Sequence, residues 1–142
     1  MGGIFLSYRR EDSAGWTGRL AEQLKTRFGW ESIFMDIDTI EPGTDFTEAL
    51  QQAVSSCDAL LAMIGPEWAT ATDKSGKPRL EDPHDWVRVE ISAALKRNIR
   101  VIPVLVGGAS VPTKELLPDE LDPLAHRQAH ELTDKRWNYL EL

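Results

Sequence analysis

The sequence predicts an α/β fold built on a parallel sheet, and two observations carry this prediction. Short runs of consecutive apolar residues recur along the chain, and segments with apolar residues at helical spacing separate them. Continuous apolar runs are typical of strands buried on both faces. Strands that alternate with helices imply right-handed crossovers and a sheet covered by helices on both sides. We therefore expect a flavodoxin-like sheet of five parallel strands.

The predicted strands are five short segments bounded by turn residues: 2–8, 32–37, 59–65, 100–108 and 127–132. The last one is half polar, which suits a strand that closes an edge of the sheet. Pro103 cannot donate a backbone hydrogen bond, so the fourth strand should have a neighbour on only one side over part of its length.

The predicted helices follow the first three strands. Trp16, Leu20, Leu24 and Phe28 recur every four residues, and Gly29 is placed to end this first helix. The second helix follows a capping box from Asp45 to Glu48 and carries an apolar stripe of Phe46, Leu50, Ala53 and Val54. The third is expected over 83–97, with Asp82 as N-cap and Pro83 as the first helical residue. A last helix begins within 133–142.

Length and composition favour one domain without a membrane or nucleic-acid partner. A chain of 142 residues with 42% apolar residues supports one core, and its formal charge of −7 opposes binding to a phosphate backbone. Cys57 is the single cysteine and is expected to be a small buried residue at the end of a helix, and the three histidines lack metal-ligand spacing. We predict a cytoplasmic location and no metal site.

The long segments 66–83 and 107–126 are expected to be functional or mobile.

Ligands of open α/β sheets bind beyond the carboxyl ends of the strands. Residues 7–10, 36–43, 65–68 and 107–108 should lie there. The glycines of "GGIFLSY" precede their strand, whereas a dinucleotide-binding glycine loop follows one. A nucleotide bound at this edge would therefore be held in another way.

Glu90 interrupts the apolar run "DPHDWVRVEISAAL" of residues 82–95. Helical spacing places it beside the buried stripe of the third helix, with Trp86 one turn earlier. One interpretation is a Glu on the border of the core that pairs with Arg88 or Arg97 on a solvated face. The other is a partly desolvated carboxylate that faces the ligand crevice together with an indole.

Six blocks in this order resemble the Toll/interleukin-1 receptor (TIR) domain, particularly its prokaryotic branch: "FLSYRREDS", "FMDIDTIEPGTDF", "ALLAMIGPEW", "DWVRVEI", "VIPVLVGGASVP" and "LDPLAHRQAHEL". The resemblance covers almost the whole chain and implies the same five-stranded parallel sheet. Some members of this family are enzymes that cleave NAD+ between nicotinamide and ribose, whereas others only assemble with further TIR domains. The enzymes resemble this chain at Trp86 and Glu90, where the family places its catalytic glutamate.

The resemblance implies an NAD+ glycohydrolase in prokaryotic immune defence or signalling, with linear or cyclic ADP-ribose as alternative products. NAD+ would be the substrate, and no cofactor is required. One carboxylate suffices because nicotinamide leaves as a neutral base, and Glu90 acts either as nucleophile or as electrostatic stabiliser of the ribosyl cation. The alternative is a non-catalytic TIR–TIR scaffold. A phosphoacceptor receiver would need an Asp after the third strand, where Glu67 is the nearest carboxylate.

Further site residues are predicted around Glu90. The substrate-binding candidates are Tyr8, Arg9, Asp36, Asp38, Phe46, Trp68 and Trp86. For Tyr8 and Phe46 a place in the core is the alternative, and Trp68 is either an aromatic lid or a side chain folded back onto the core. The resemblance implies a BB loop, Ile40, Glu41, Pro42 and Gly43, that meets a neighbouring TIR domain in a head-to-tail array, and a sensor domain elsewhere in a longer protein.

Overall fold

The computed structural model describes residues 3–35, 43 and 46–133, apart from the side chains of Trp30, Phe46 and Thr47. Five parallel strands form one sheet in the order β2-β1-β3-β4-β5. They are β1 (Gly3–Ser7), β2 (Ile33–Phe34), β3 (Cys57–Ile64), β4 (Arg100–Leu105) and β5 (His130–Glu131). The predicted five-stranded flavodoxin-like sheet is confirmed.

Three α-helices follow the first three strands: α1 (Arg10–Phe28), α2 (Phe46–Ser55) and α3 (Trp86–Lys96). Gly29 ends α1 with a φ of 95°, a left-handed conformation that glycine adopts without strain. The predicted start of the third helix at Pro83 is wrong, because the helix begins three residues later. Asp45 and the predicted last helix lie outside the described residues, apart from its first position, Thr133.

Apolar side chains cover both faces of the sheet, as continuous apolar strands require. On one face α2 and α3 pack through side chains such as Leu50, Val54 and Ile91, and on the other face α1 packs through Leu20 and Leu24. The central strand β3 is buried from Leu60 to Ile64. Because every side chain there is enclosed, the alternation of polar and apolar residues that marks a half-exposed strand is missing from its sequence.

The two long segments are packed against the core. Trp68 and Leu80 are buried in the first, and Leu117, Leu121 and Leu124 are buried in the second. The 3-10 helices Arg79–Glu81 and Asp119–His126 carry Leu80, Leu121 and Leu124, and Leu117 is the C-cap of the 3-10 helix Lys114–Leu116. The segments are largely irregular, and their buried apolar side chains anchor them to the core.

Pro103 and Cys57 occupy different places in the sheet. Pro103 pairs with Ala62 of β3, and β5 joins β4 only at Val104 and Leu105, so the predicted one-sided pairing is confirmed for the described residues. Cys57 is the first residue of β3 and not the end of a helix. Burial raises the pKa of its thiol to about 11, which leaves the reactive thiolate scarce at neutral pH.

Within the described ranges, no helix has both the length and the apolar character needed to cross a bilayer.

Candidate active site

A cavity of about 390 Å³ opens where β1 ends. The sheet order reverses beside β1, because the chain passes from β1 to β2 on one side and later to β3 on the other. Helices α1 and α3 therefore cover opposite faces and leave a crevice at the carboxyl ends of the strands. The end of β1, the start of α1, Met35, Arg79 and the first turns of α3 line this cavity. Its volume lies within the range of small-molecule sites.

Glu90 lies in the second turn of α3, and its residue is only 7% exposed. Ser7, the last residue of β1, donates a hydrogen bond from Oγ to Glu90 Oε1 at 2.8 Å. Desolvation by burial raises the pKa of Glu90 to about 8, against the opposing effect of the Ser7 hydrogen bond. A carboxylate with a strongly raised pKa in a cleft is typical of functional sites.

The interpretation of Glu90 as a solvated border residue is wrong. Its neighbour Arg88 forms an ion pair with Glu120 and donates to the Leu80 carbonyl oxygen at 2.9 Å. Arg97 is exposed at the C-cap of α3. Glu90 is therefore enclosed in the protein while still lining the cavity.

The start of α3 places Trp86 beside Glu90. Asp85 is the N-cap, and its carboxylate accepts a hydrogen bond from the backbone N–H of Arg88 at 3.2 Å. The predicted cap, Asp82, instead accepts from the N–H of His84 within the preceding turn. Trp86 is then the first helical residue, 44% exposed, and lines the cavity one turn before Glu90.

The guanidinium group of Arg9 is bound by other residues of the protein. It is buried, and its Nη1 and Nη2 atoms each lie 2.9 Å from the Asp85 carboxylate oxygens. Its Nε donates to the carbonyl oxygen of Trp68 at 3.0 Å. Three of the five guanidinium N–H donors are thus engaged. These bonds tie the end of β1 to the N-cap of α3. Arg9 also lines the cavity, and its role in substrate binding stays a prediction.

Trp68 is completely buried, so the predicted aromatic lid is wrong and the side chain belongs to the core. Its indole centroid lies 6.0 Å from the Arg9 guanidinium carbon. Tyr8 is half-buried, lines the cavity and packs against the core on the α1 face, and its role in substrate binding stays a prediction.

The remaining predicted site residues are not described, with one exception. Asp36, Asp38, Ile40, Glu41, Pro42 and the side chain of Phe46 lie outside the described residues. Gly43 is an exposed turn residue with a φ of 88°. At this φ a side chain strains the backbone, which accounts for glycine here.

Ser7, Asp85 and Arg79 were not among the predicted site residues, although Ser7 was expected at the crevice. Ser7 bonds to Glu90, which is 83 residues away in sequence, and Asp85 bonds to Arg9, which is 76 residues away. Local sequence patterns cannot reveal contacts over such distances. The position of Ser7 at the end of an apolar run was the one available signal. Arg79 lies in a segment with several charged residues, and no pattern in the sequence distinguishes it from the others.

Ser7→Ala should raise the pKa of Glu90 further, by about one pH unit, because the hydrogen bond to the ionised carboxylate is lost. The measurement is an NMR titration of the ¹³C-labelled Glu90 side chain. Ser92→Ala is the matched control, since Ser92 is also buried on α3 but donates to Glu120. An unchanged Glu90 titration in Ser7→Ala would show that the hydrogen bond does not hold the carboxylate.

Comparison with known proteins identifies the family. A family profile described as the TIR domain matches residues 4–140. The chain belongs to the TIR domain family. Over 123 residues this TIR domain is 29% identical to "NAD(+) hydrolase sarm1" of Drosophila melanogaster, and the alignment covers 87% of the chain and 8% of that relative. The TIR domain thus spans a small part of the relative's length.

Solved TIR domains share the fold. The TIR domains of the activated Roq1 resistosome superpose with a TM-score of 0.66 at 18% identity, covering 97% of this chain and 91% of theirs. The TIR domain of the Toll-related receptor TRR-2 from Hydra magnipapillata gives 0.65 at 16% identity, with 98% and 90% covered. A TIR-STING receptor from C. gigas in complex with 2',3'-cGAMP gives 0.61 at 19% identity, covering 97% of this chain and 37% of the receptor.

Proposed function

We propose that this TIR domain is an NAD+ glycohydrolase that cleaves the bond between nicotinamide and ribose, with Glu90 as its catalytic residue. The observation that carries the proposal is a buried carboxylate that reaches the cavity beside an exposed indole. The likeness to a relative named as an NAD+ hydrolase supports the same chemistry.

The geometry suits a cationic substrate. The pyridinium ring of NAD+ is flat and positively charged, and the half-exposed indole of Trp86, which lines the cavity, is an aromatic group that attracts cations. Cleavage breaks the C–N bond, and both its electrons leave with nicotinamide as a neutral base. The positive charge then lies on the ribose. A carboxylate in a desolvated site stabilises that charge far more than it would in water.

The raised pKa of Glu90 fits this role. With a pKa of about 8, Glu90 is mostly protonated at neutral pH in the free protein. A cation bound beside it favours the ionised form and lowers its pKa. The negative charge would then appear chiefly when the substrate is present. Attack of water on the ribosyl cation gives ADP-ribose, and attack by a nitrogen of the adenine ring gives a cyclic isomer.

Two rival functions are less well supported. A scaffold gains nothing from burying Glu90, which costs stability through desolvation. For a phosphoacceptor, the loop after β3 offers Glu67, which is exposed and whose N–H donates to Asp12 at 2.8 Å. Asp12 also accepts from the N–H of Gly65 at 2.8 Å, so its carboxylate is occupied in joining α1 to this loop.

The proposed partners are NAD+ and further copies of the TIR domain. Residues 40–43 would form a head-to-tail contact, which can propagate as an array. A sensor domain in a longer protein, a cytoplasmic location and a role in prokaryotic defence remain predictions from the resemblance. If the neighbour completes the site, specific activity should rise with protein concentration.

Gly43→Pro should remove both the concentration dependence and most of the activity, because proline cannot adopt the φ of 88° found at Gly43. Gly76→Pro is the matched control: Gly76 has a φ of 87°, is exposed and lies in a turn of another segment. The measurement is specific activity over a hundredfold range of enzyme concentration. Equal losses in both variants, or a parent whose specific activity stays flat, would count against assembly.

The direct test of the function is incubation of the concentrated domain with NAD+, followed by chromatographic separation of nicotinamide, ADP-ribose and cyclic isomers. Nicotinamide should form in equal amount to the NAD+ consumed. Intact NAD+ after incubation at high and clustered protein concentration would favour the scaffold instead.

A further inference from the structure

Arg79 and Glu11 form an ion pair at the cavity that contains Glu90. Arg79 Nη1 lies 2.7 Å from Glu11 Oε1, and the two side chains are 40% and 45% exposed. Both residues line the cavity. The pair joins the first turn of α1 to the segment that precedes α3, and residues of both elements line the cavity.

The segment around Arg79 is fixed although the end of its side chain is exposed. The backbone N–H of Arg79 donates to the Ala71 carbonyl oxygen at 2.9 Å, and its Nε donates to the Thr72 carbonyl oxygen at 3.2 Å. The next residue, Leu80, is buried in the core. The guanidinium group is therefore held beside the cavity while its outer nitrogens face solvent and Glu11.

The partner of Arg79 is easily exchanged. An exposed ion pair contributes little to stability, because solvent screens both charges. A diphosphate carries two negative charges and accepts paired, charge-assisted hydrogen bonds from a guanidinium group, which are stronger. Arg9, the arginine that the sequence pointed to, is buried and held by Asp85. Arg79 has the weaker attachment of the two.

We propose that Arg79 exchanges Glu11 for the diphosphate of the dinucleotide substrate, so that Glu11 competes with the substrate and sets its affinity. The identity of the ligand rests on the proposed function. Removing Arg79 should weaken binding, whereas removing the Glu11 charge should strengthen it. A purely structural ion pair would instead make both changes act in the same direction.

The experiment measures the affinity of ADP-ribose by calorimetry, because this probe carries the diphosphate and needs no catalysis to bind. We expect about tenfold weaker binding for Arg79→Gln and about threefold tighter binding for Glu11→Gln. The double variant should match Arg79→Gln, since Glu11 acts only through Arg79. The matched controls are Arg100→Gln and Glu31→Gln, exposed residues at the amino-terminal side of the sheet that remove the same charges.

The outcomes separate this inference from the proposed function. Opposite shifts in ADP-ribose affinity support the role of Arg79 even in a protein that leaves NAD+ intact, in which case only the glycohydrolase proposal fails. The inference is overturned by ADP-ribose affinity within twofold of the parent in Arg79→Gln, by weaker binding in Glu11→Gln, or by no detectable binding to the parent at millimolar ADP-ribose. In an active parent, the KM for NAD+ should follow the same pattern with little change in kcat.

Discussion

Glu90→Gln is expected to lower nicotinamide release from NAD+ by at least about 10³-fold, which corresponds to roughly 4 kcal/mol of barrier. The amide keeps the shape of the side chain and an acceptor for the Ser7 hydroxyl, but it cannot carry the negative charge. Turnover within tenfold of the parent would remove Glu90 from the chemistry. Circular dichroism of the variant controls for loss of fold.

The same substitution should stabilise the fold at high pH. The pKa of Glu90 is raised from 4.5 to about 8 in the folded chain. Below pH 4.5 the side chain is protonated in both states and costs nothing. As the pH rises from 4.5 to 8 the unfolded chain ionises while the folded chain resists, so stability is lost over this window.

The glutamine side chain of the Glu90→Gln variant does not titrate. The difference in unfolding free energy between this variant and the parent should therefore grow with pH. Between pH 5 and pH 9 the growth should be on the order of 4 kcal/mol in favour of the variant. The measurement is urea unfolding of both proteins across this range, where the effects of the other carboxylates cancel. A difference that does not change with pH would mean that Glu90 is not desolvated.

Asp85→Asn should destabilise the domain by about 3–5 kcal/mol, because it leaves the Arg9 charge buried without its partner. Asparagine keeps the shape and the ability to cap α3, so the change isolates the charge. Urea unfolding measures the effect, and Arg79→Gln is the control for an exposed pair, with an expected change below about 1 kcal/mol.

A second variant distinguishes the buried pair from a general effect of mutation at this position. Arg9→Met with Asp85→Asn removes both charges and should be more stable than Asp85→Asn alone. Some loss should remain, because the Trp68 carbonyl oxygen also loses the hydrogen bond from Arg9. A cost below about 1 kcal/mol for Asp85→Asn would contradict the role of Arg9 as the link between β1 and α3.

The sequence predicted the sheet because its signals were local and strong. Continuous apolar runs at β1, β3 and β4 left no alternative to strands covered on both faces, and Pro103 marked where β5 could not pair. Trp86 and Glu90, four residues apart on one helix, could likewise be placed on a common side. The resemblance to the TIR domain added the chemistry to this geometry.

The errors arose where local signals were ambiguous or partners distant. Asp82 followed by Pro83 fits the sequence pattern of a helix N-terminus as well as Asp85 does. The chain makes one more turn before α3 begins. Arg9 was predicted to bind substrate because it is a basic residue that follows the first strand at the crevice. Nothing in the sequence reveals that Asp85, 76 residues away, is its partner. Trp68 lies just after a strand. Burial is predicted from apolar residues at regular spacing, and a single aromatic residue shows no such spacing.

The most direct test of the central claim is the pH profile of kcat/KM for nicotinamide release from NAD+. If ionised Glu90 performs the chemistry, kcat/KM should rise with pH and level off above about 8, the pKa of Glu90 in the free protein. The profile of kcat should level off at lower pH, because the bound pyridinium cation favours the carboxylate. A kcat/KM that is flat from pH 6 to pH 9, or that falls with rising pH, would contradict the account.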